Sequence, residues 1–273
     1  MLHPFLINKL IKQKEMKRLL FSLSALLLTA VTYAQTIDTK MVSHALSFID
    51  VPYVANTLEF DGPEELVINC DEVDCTTFVE YVMAMALSTH QANGDISETE
   101  FADNLMKIRY RNGKIDGYTS RLHYVSDWIN NGIRQGLLQD VTAENSPYST
   151  TLKVNYMTTH PSSYKQLANS AENVATMKKI ESSLTGSEYF YLPKEQLGHQ
   201  GKLWIKNGDI ICFTSNVDGL DVSHMGIAFY ADSKLTLIHA SSVEKKVVVS
   251  KISLAQLLEN NSAVTGIRVL RVK

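Results

Sequence analysis

Three residues hold the chemistry this sequence can offer, and they stand far apart in it: Cys75, His224 and His239. Cys75 lies in the run Asp74-Cys75-Thr76-Thr77-Phe78-Val79-Glu80, where Asp71 or Asp74 is placed to cap a helix whose apolar face begins at Phe78. A thiol in the first helical turn sits beside unpaired N–H groups and the positive end of the dipole, which lower its pKa and favour the thiolate. The neighbouring Asp74 acts in the opposite sense, so a histidine is needed to complete the activation. A lone cysteine is also a common packed residue, and a helix start alone does not separate the two readings.

The histidines supply a second signal. Ser223-His224-Met225-Gly226-Ile227 puts His224 at the head of a strand, with Gly226 leaving room beside it. Leu237-Ile238-His239-Ala240-Ser241 ends the next strand on His239. In an antiparallel hairpin a residue heading one strand lies near the residue ending the next. One imidazole is then placed to take the thiol proton and the other to orient it. Two satisfied histidines on a sheet remain the plain alternative. A metal site is weaker, because two histidines lack a clear third ligand and no Cys/His cluster has zinc-finger spacing. No metal and no cofactor are expected.

The elements that must position these residues fall into two halves. Helices are predicted over residues 39–48, from the nucleophile start through a stripe of Phe78, Val82 and Ala86, over 97–110, and over 126–132 around Trp128, ending on Asn130-Asn131-Gly132. Trp128 is read as core. Short β-rich runs follow at 209–213, 225–230, 235–239, 246–250 and 265–272, broken by Asn-Gly, Asp-Gly and Asp-Ser turns. In the last run Val and Leu are expected on one side and Arg on the other. Helices first and an antiparallel sheet afterwards give an α+β fold. Between the halves, residues 146–192 are rich in Ser, Thr, Asn and Tyr and read as a cleft-shaping insertion with a helix near 168–183.

The ends and the composition narrow the setting. Met16-Lys17-Arg18, an uncharged apolar run from Leu19 to Val31, and Thr32-Tyr33-Ala34 read as a secretory signal peptide behind an upstream extension, cleaved near Ala34. The run is too short for a membrane span, and no cysteine follows it to carry a lipid. Residues 1–34 are thus set apart from a single domain over 35–273, periplasmic or secreted. The whole chain has a formal charge of −3, and its leader is basic, so the remainder is more acidic still. That balance disfavours nucleic acid and anionic membrane as partners. Of three cysteines, at least one must stay free or pair outside the chain; Cys70 and Cys212 are read either as a disulfide or as small buried residues.

Taken in order, the Asp-Cys helix start, Asn207-Gly208-Asp209-Ile210-Ile211, the His224-x-Gly-Ile strand and Ile238-His239-Ala240-Ser241 resemble the NlpC-type papain-like cell-wall hydrolases. The resemblance is closer to the N-acetylmuramoyl-L-alanine amidase-like branch. It is carried by Val51-Pro52-Tyr53 with Thr57-Leu58-Glu59, by Asp74 to Glu80, by Ser120-Arg121-Leu122-His123-Tyr124 with Asp127-Trp128, and by His239-Ala240-Ser241-Ser242. It runs from about residue 45 to the end. It implies a papain-like fold, Cys75 as nucleophile, His224 as base, His239 as the orienting residue, and a Tyr53 hydroxyl near the thiol that helps hold the oxyanion.

The implied reaction is two-step hydrolysis of the amide between N-acetylmuramic acid and L-alanine in peptidoglycan or muropeptides, by a monomer. The alternatives are a D-glutamyl–diamino-acid endopeptidase, a papain-like acyltransferase and a non-catalytic wall-binding module. The broader family's Asp-Cys-Ser-Gly is Asp-Cys-Thr-Thr here, so the Gly is lost to the β-branched Thr77, which narrows what can sit beside the thiol, and Thr76 is read as contacting substrate. Arg121, His123, Tyr124 and Asp127 read as a wall of the substrate cleft, with Arg121 meeting a peptide carboxylate. A salt-linked corner is the other reading for Arg121 and Asp127. Met157, His160-Pro161 and Tyr164 are expected to line the same cleft.

Overall fold

The β-rich runs of the C-terminal half close into one antiparallel sheet. Its long strands are β5 (Ile210–Ser215), β6 (Val222–Ala231), β7 (Lys234–Ser241), β8 (Lys246–Val249) and β9 (Val264–Val272), with β1 (Leu138–Asp140) and β4 (Leu192–Pro193) added on β9. The order is β1-β9-β5-β6-β7-β8. The structure, a computed structural model, describes residues 36–89 and 95–273, and the signal-peptide reading lies outside them. Thr36–Lys273 form one compact unit.

Both faces of the sheet are covered. On one, Cys212, Met225, Ile227, Ile238 and Leu270 pack under helices α1 (Ile37–Ser47), α2 (Cys75–Leu87), α3 (Glu98–Arg109) and α4 (Val125–Arg134). On the other, Ile211, Phe213, Leu235, Leu237, Ile267 and Val269 meet Leu254 and Leu258 of a short helix, Leu254–Glu259. The one-sided alternation expected of the last strand is therefore corrected. β9 is central, and its Arg268 is itself buried, bonded to Asp140 at 2.8 Å. In α2, Phe78, Val79 and Val82 are wholly buried, each contributing roughly 2 kcal/mol as an upper estimate.

The helix boundaries move by a residue or two from those expected, with one change of meaning. Asn130-Asn131-Gly132 does not stop α4, which runs on to Arg134. Gly132 instead lets β1 approach, since a Cβ there would stand 2.6 Å from Leu138 Cδ1. The region 146–192 builds its own small core of Leu152, Val154, Met157, Leu167, Met177 and Leu184 against Tyr118 and Tyr124. Its parts are a hairpin of β2 (Ser149–Thr151) and β3 (Glu188–Phe190), single helical turns, and α5 (Ala171–Leu184). The helix expected near 168–183 is Ala171–Leu184, capped by Ser170 and preceded by a separate single turn, Lys165–Ala168.

Candidate active site

Asp74, not Asp71, caps α2. Its Oδ1 accepts from the Thr76 N–H at 3.0 Å and the Thr77 N–H at 2.8 Å, while the Thr77 hydroxyl accepts from the Asp74 N–H at 2.9 Å. This capping box uses up the first-turn donors that would otherwise stabilise a thiolate. The Cys75 N–H is left out of the cap and is directed at its own sulfur. Desolvation and the Asp74 carboxylate push the half-buried thiol up to about 11. The lowered pKa expected from the helix start is therefore reversed, because burial, and after it the Asp74 charge, outweigh the hydrogen bonds that favour thiolate.

The sheet receives this sulfur where β6 and β7 part. Their pairing ends at Ile227↔Ile238. Beyond that point the Met225 N–H donates to Cys75 Sγ, and this favours thiolate. His224 is the next residue along the strand. Ser223 is bulged out against β5, where Phe213 pairs with His224 and Thr214 already with Val222. His224 Nε2 stands 2.8 Å from His239 Nδ1, with the two rings nearly perpendicular. Gly226 makes the approach possible, since a Cβ there would lie 2.9 Å from His239 Cβ and 2.8 Å from Leu237 Cγ.

Burial and the neighbouring His239 hold His224 down to about 3. Burial lowers His239 to about 4, against a smaller upward pull from Glu244. Thiol and imidazoles are thus all neutral at rest.

Tyr53 is carried in by backbone pairing. Its N–H donates to the Lys245 carbonyl at 2.9 Å, and the segment bridges to Val73 just before the cap. Burial first, then the charges of Cys75 and Asp74, raise its hydroxyl. Thr76 Oγ1 stands 4.0 Å from the sulfur.

The remaining wall residues are engaged inside the chain. Arg121 is buried, 2.8 Å from Glu59 and 3.2 Å from Glu64, with its guanidinium 5.1 Å from the Tyr118 ring centre. Asp127 is buried and accepts from Arg111 at 2.6 Å. His123 Nε2 bonds the Tyr118 carbonyl at 3.0 Å, and burial ahead of the Arg121 charge holds it down to about 3. The Tyr124 hydroxyl donates to Glu181 at 2.7 Å and accepts from the Met157 N–H. Met157, expected to line the cleft, lies in the core of the insertion. Exposed His160 stacks on Tyr156, and Tyr164 packs at the edge of that core. Trp128 is buried in the main core.

Cys70 and Cys212 are unpaired: Cys212 is buried under α2 and Cys70 lies at the edge of the same core. Among the described residues no group of three or more His, Cys, Asp or Glu is placed to hold a metal ion, and no helix is long and apolar enough to cross a membrane.

Sequence reasoning missed the Met225 amide, because a backbone donor leaves no trace in residue type. Glu59 was visible as a motif residue, but its pairing with Arg121, far along the chain, was not.

A thiol at a helix start and a bonded pair of imidazoles on the facing sheet are held on one helix-and-sheet frame, and comparison gives the family. Residues 42–267 match the AmiA-like, N-acetylmuramoyl-L-alanine amidase-like family, and the chain belongs to it. An N-acetylmuramoyl-L-alanine amidase from Bacteroides uniformis ATCC 8492 is 67% identical, with a TM-score of 0.84 over 85% of this chain and 98% of that one. A Bacteroides fragilis protein provisionally named a xylanase is 61% identical, with a TM-score of 0.82 over 84% and 99%. A Legionella pneumophila protein shares the fold at 22% identity, with a TM-score of 0.67 over 88% and 90%. No curated protein sequence matches the chain.

Proposed function

We propose that this protein is an exported, NlpC-type papain-like cysteine amidase that cleaves the bond between N-acetylmuramic acid and L-alanine in peptidoglycan or muropeptides. The observation that carries the reading is the row Cys75 Sγ, Met225 N–H, His224, His239, with His224 Nε2 and His239 Nδ1 2.8 Å apart. His224 Nε2 is used by His239, so Nδ1 is the nitrogen left for the thiol proton. Because both partners rest neutral, the proton leaves Sγ as sulfur attacks the carbonyl, not beforehand. The tetrahedral oxyanion is held by the Cys75 N–H, which the cap leaves free, and by Tyr53. The His224 imidazolium then protonates the leaving amine, and the neutral ring activates water to release the acyl group.

Thr76 flanks the thiol and limits what can lie beside it. Tyr124, buried in the insertion core, and His123 join the nucleophile side to the insertion from behind the cleft. Arg121 and Asp127 shape that side from within, as their charges are already matched. The provisional xylanase name of one relative finds less support. A glycosidase needs two carboxylates free to work on either side of a sugar, whereas Glu59 and Glu64 are both tied to Arg121.

Digestion of defined muropeptides, followed by mass spectrometry, tests the reading. Intact sugar plus a free L-Ala-peptide is the expected pair. Release of a diamino-acid peptide, with L-Ala-D-Glu left on the sugar, would replace the amidase by an endopeptidase. A Cys75→Ala variant that still cleaves would remove the catalytic assignment.

A further inference from the structure

Pairing between β6 and β7 ends at Ile227↔Ile238, three residues short of His224. Toward β7 the base therefore has no ladder to hold it, and its backbone is paired on β5 alone, with Phe213. The next β5 residue, Thr214, already pairs with Val222, so Ser223 is looped out directly behind the base. This bulge reverses the alternation. Val222 and Met225, three residues apart, both enter the core under the helices, whereas on a regular strand Val222 would share a face with His224. A bulge at that place needs an anchor, because closing the ladder over Ser223 would turn Val222 out of the helical core.

Asp221 is the residue placed to hold it. It is 5% exposed, and each of its oxygens is engaged. The carbonyl accepts from the Ser215 N–H at 2.9 Å and closes the β5–β6 loop. Oδ1 accepts from the Val222 N–H at 2.8 Å, at the first residue of β6. Oδ2 crosses to α4 and accepts from the Ser126 N–H at 2.6 Å.

The bond to Ser126 answers a need of the helix. α4 begins after Tyr124, whose side chain caps none of the first-turn N–H groups. Ser126 is the second helical residue, where a local Ser, Asp or Asn is the usual acceptor. Asp221 supplies that cap from 95 residues along the chain, with a charge of the sign a helix start favours. One carboxylate thus joins the start of α4 to the head of the strand that carries the base.

We propose that Asp221 is a positioning residue, which uses the start of α4 as an anchor to fix the bulge at Ser223 and so holds His224 where it meets Cys75 and His239. The inference rests on the cysteine amidase reading, in which His224 is the base. The Asp221 carboxylate is spent on two N–H groups and takes no part in proton transfer. Its effect passes to His224 through the two residues of backbone between them.

The test compares the full chain with its Asp221→Ala, Asp221→Asn and Gly132→Ala variants on a muropeptide carrying the N-acetylmuramoyl-L-alanine bond, with ¹⁵N-histidine NMR of each at neutral pH. Asp221→Ala is expected to lower kcat per folded molecule about tenfold at unchanged KM, on a scale where a misplacement of about 1 Å costs roughly a hundredfold. It should also shift the His224 resonances. Asp221→Asn keeps an acceptor for the Ser126 N–H and should recover part of both. Gly132→Ala loosens α4 from its other end, against Leu138, and should keep the parental kcat. If Asp221→Ala does not fold, Asp221→Asn decides by the same two readings. Parental kcat with parental His224 resonances in the folded Asp221 variants would overturn the proposal, and so would an equal loss of kcat in Gly132→Ala. The Cys75→Ala variant separates the two levels: if it cleaves, the amidase reading fails, and if it is inert while the Asp221 variants are parental, only the role of Asp221 fails.

Discussion

Asp74 does two things that oppose one another, and a single atom separates them. As a cap it stabilises α2, and as a charge it holds the Cys75 proton on. Asn caps about as well as Asp but carries no charge. Asp74→Asn should therefore keep the melting temperature within a degree or two of the parent, as near-equal caps imply. It should also move the pH midpoint of iodoacetamide alkylation of Cys75 down from about 11. Asp74→Ala should shift the alkylation midpoint in the same direction but cost about 1 kcal/mol in denaturant unfolding. An unmoved midpoint in Asp74→Asn would show that burial alone keeps the thiol protonated.

Elements position the histidine pair through close approaches that tolerate little. Gly226→Ala would place a methyl 2.9 Å from His239 Cβ and from the Ile238 carbonyl. The expected outcome is a loss of about 1–3 kcal/mol in chemical denaturation, with a fall in kcat larger than any rise in KM, because the histidine pair is pushed apart. The insertion is fastened in a different way. Buried Glu181 accepts from the Tyr124 hydroxyl, the Thr158 N–H and the Thr158 hydroxyl, tying α5 to the segment that leads into α4. Glu181→Ala strands these donors and should cost about 3 kcal/mol, seen as early proteolytic cutting within 146–192.

Much of this was legible in the sequence at the level of elements. The helix start at Cys75 and the hairpin bearing both histidines follow from capping residues, turn dipeptides and alternation, which are local signals. Three features were not legible. Arg121 and Glu59 meet only through the fold, the Met225 amide is a backbone group, and the direction of the Cys75 shift depends on burial that spacing does not report. Gly132 was misread because a glycine needed for close packing and one that stops a helix look alike in sequence.

At the scale of the whole molecule, buried neutral histidines tie stability to pH. His123 is held down to about 3, against an ordinary value near 6.5. The unfolded chain therefore binds a proton there at pH 5 that the native state does not, and stability falls as pH drops from about 6.5 toward that native value. Glu64, Glu80, Asp209 and Asp221, raised by burial, work in the opposite sense above the usual carboxylate range. The contribution of one histidine is best read as a difference. Between pH 7 and pH 5, His123→Gln should lose roughly 1–2 kcal/mol less than the parent in urea unfolding. Equal losses would place the acid sensitivity elsewhere.

The capping carboxylate beside Cys75 also bears on how long the protein lasts. Peroxide attacks thiolate far faster than thiol. With its proton held to about 11, the sulfur is ionised at neutral pH in about one molecule in ten thousand. In the proposed mechanism the sulfur is reactive mainly during the moments when His224 takes its proton with an acyl carbon already in front of it. Between turnovers the same residue is chemically quiet, and a catalyst built this way wears with use more than with time.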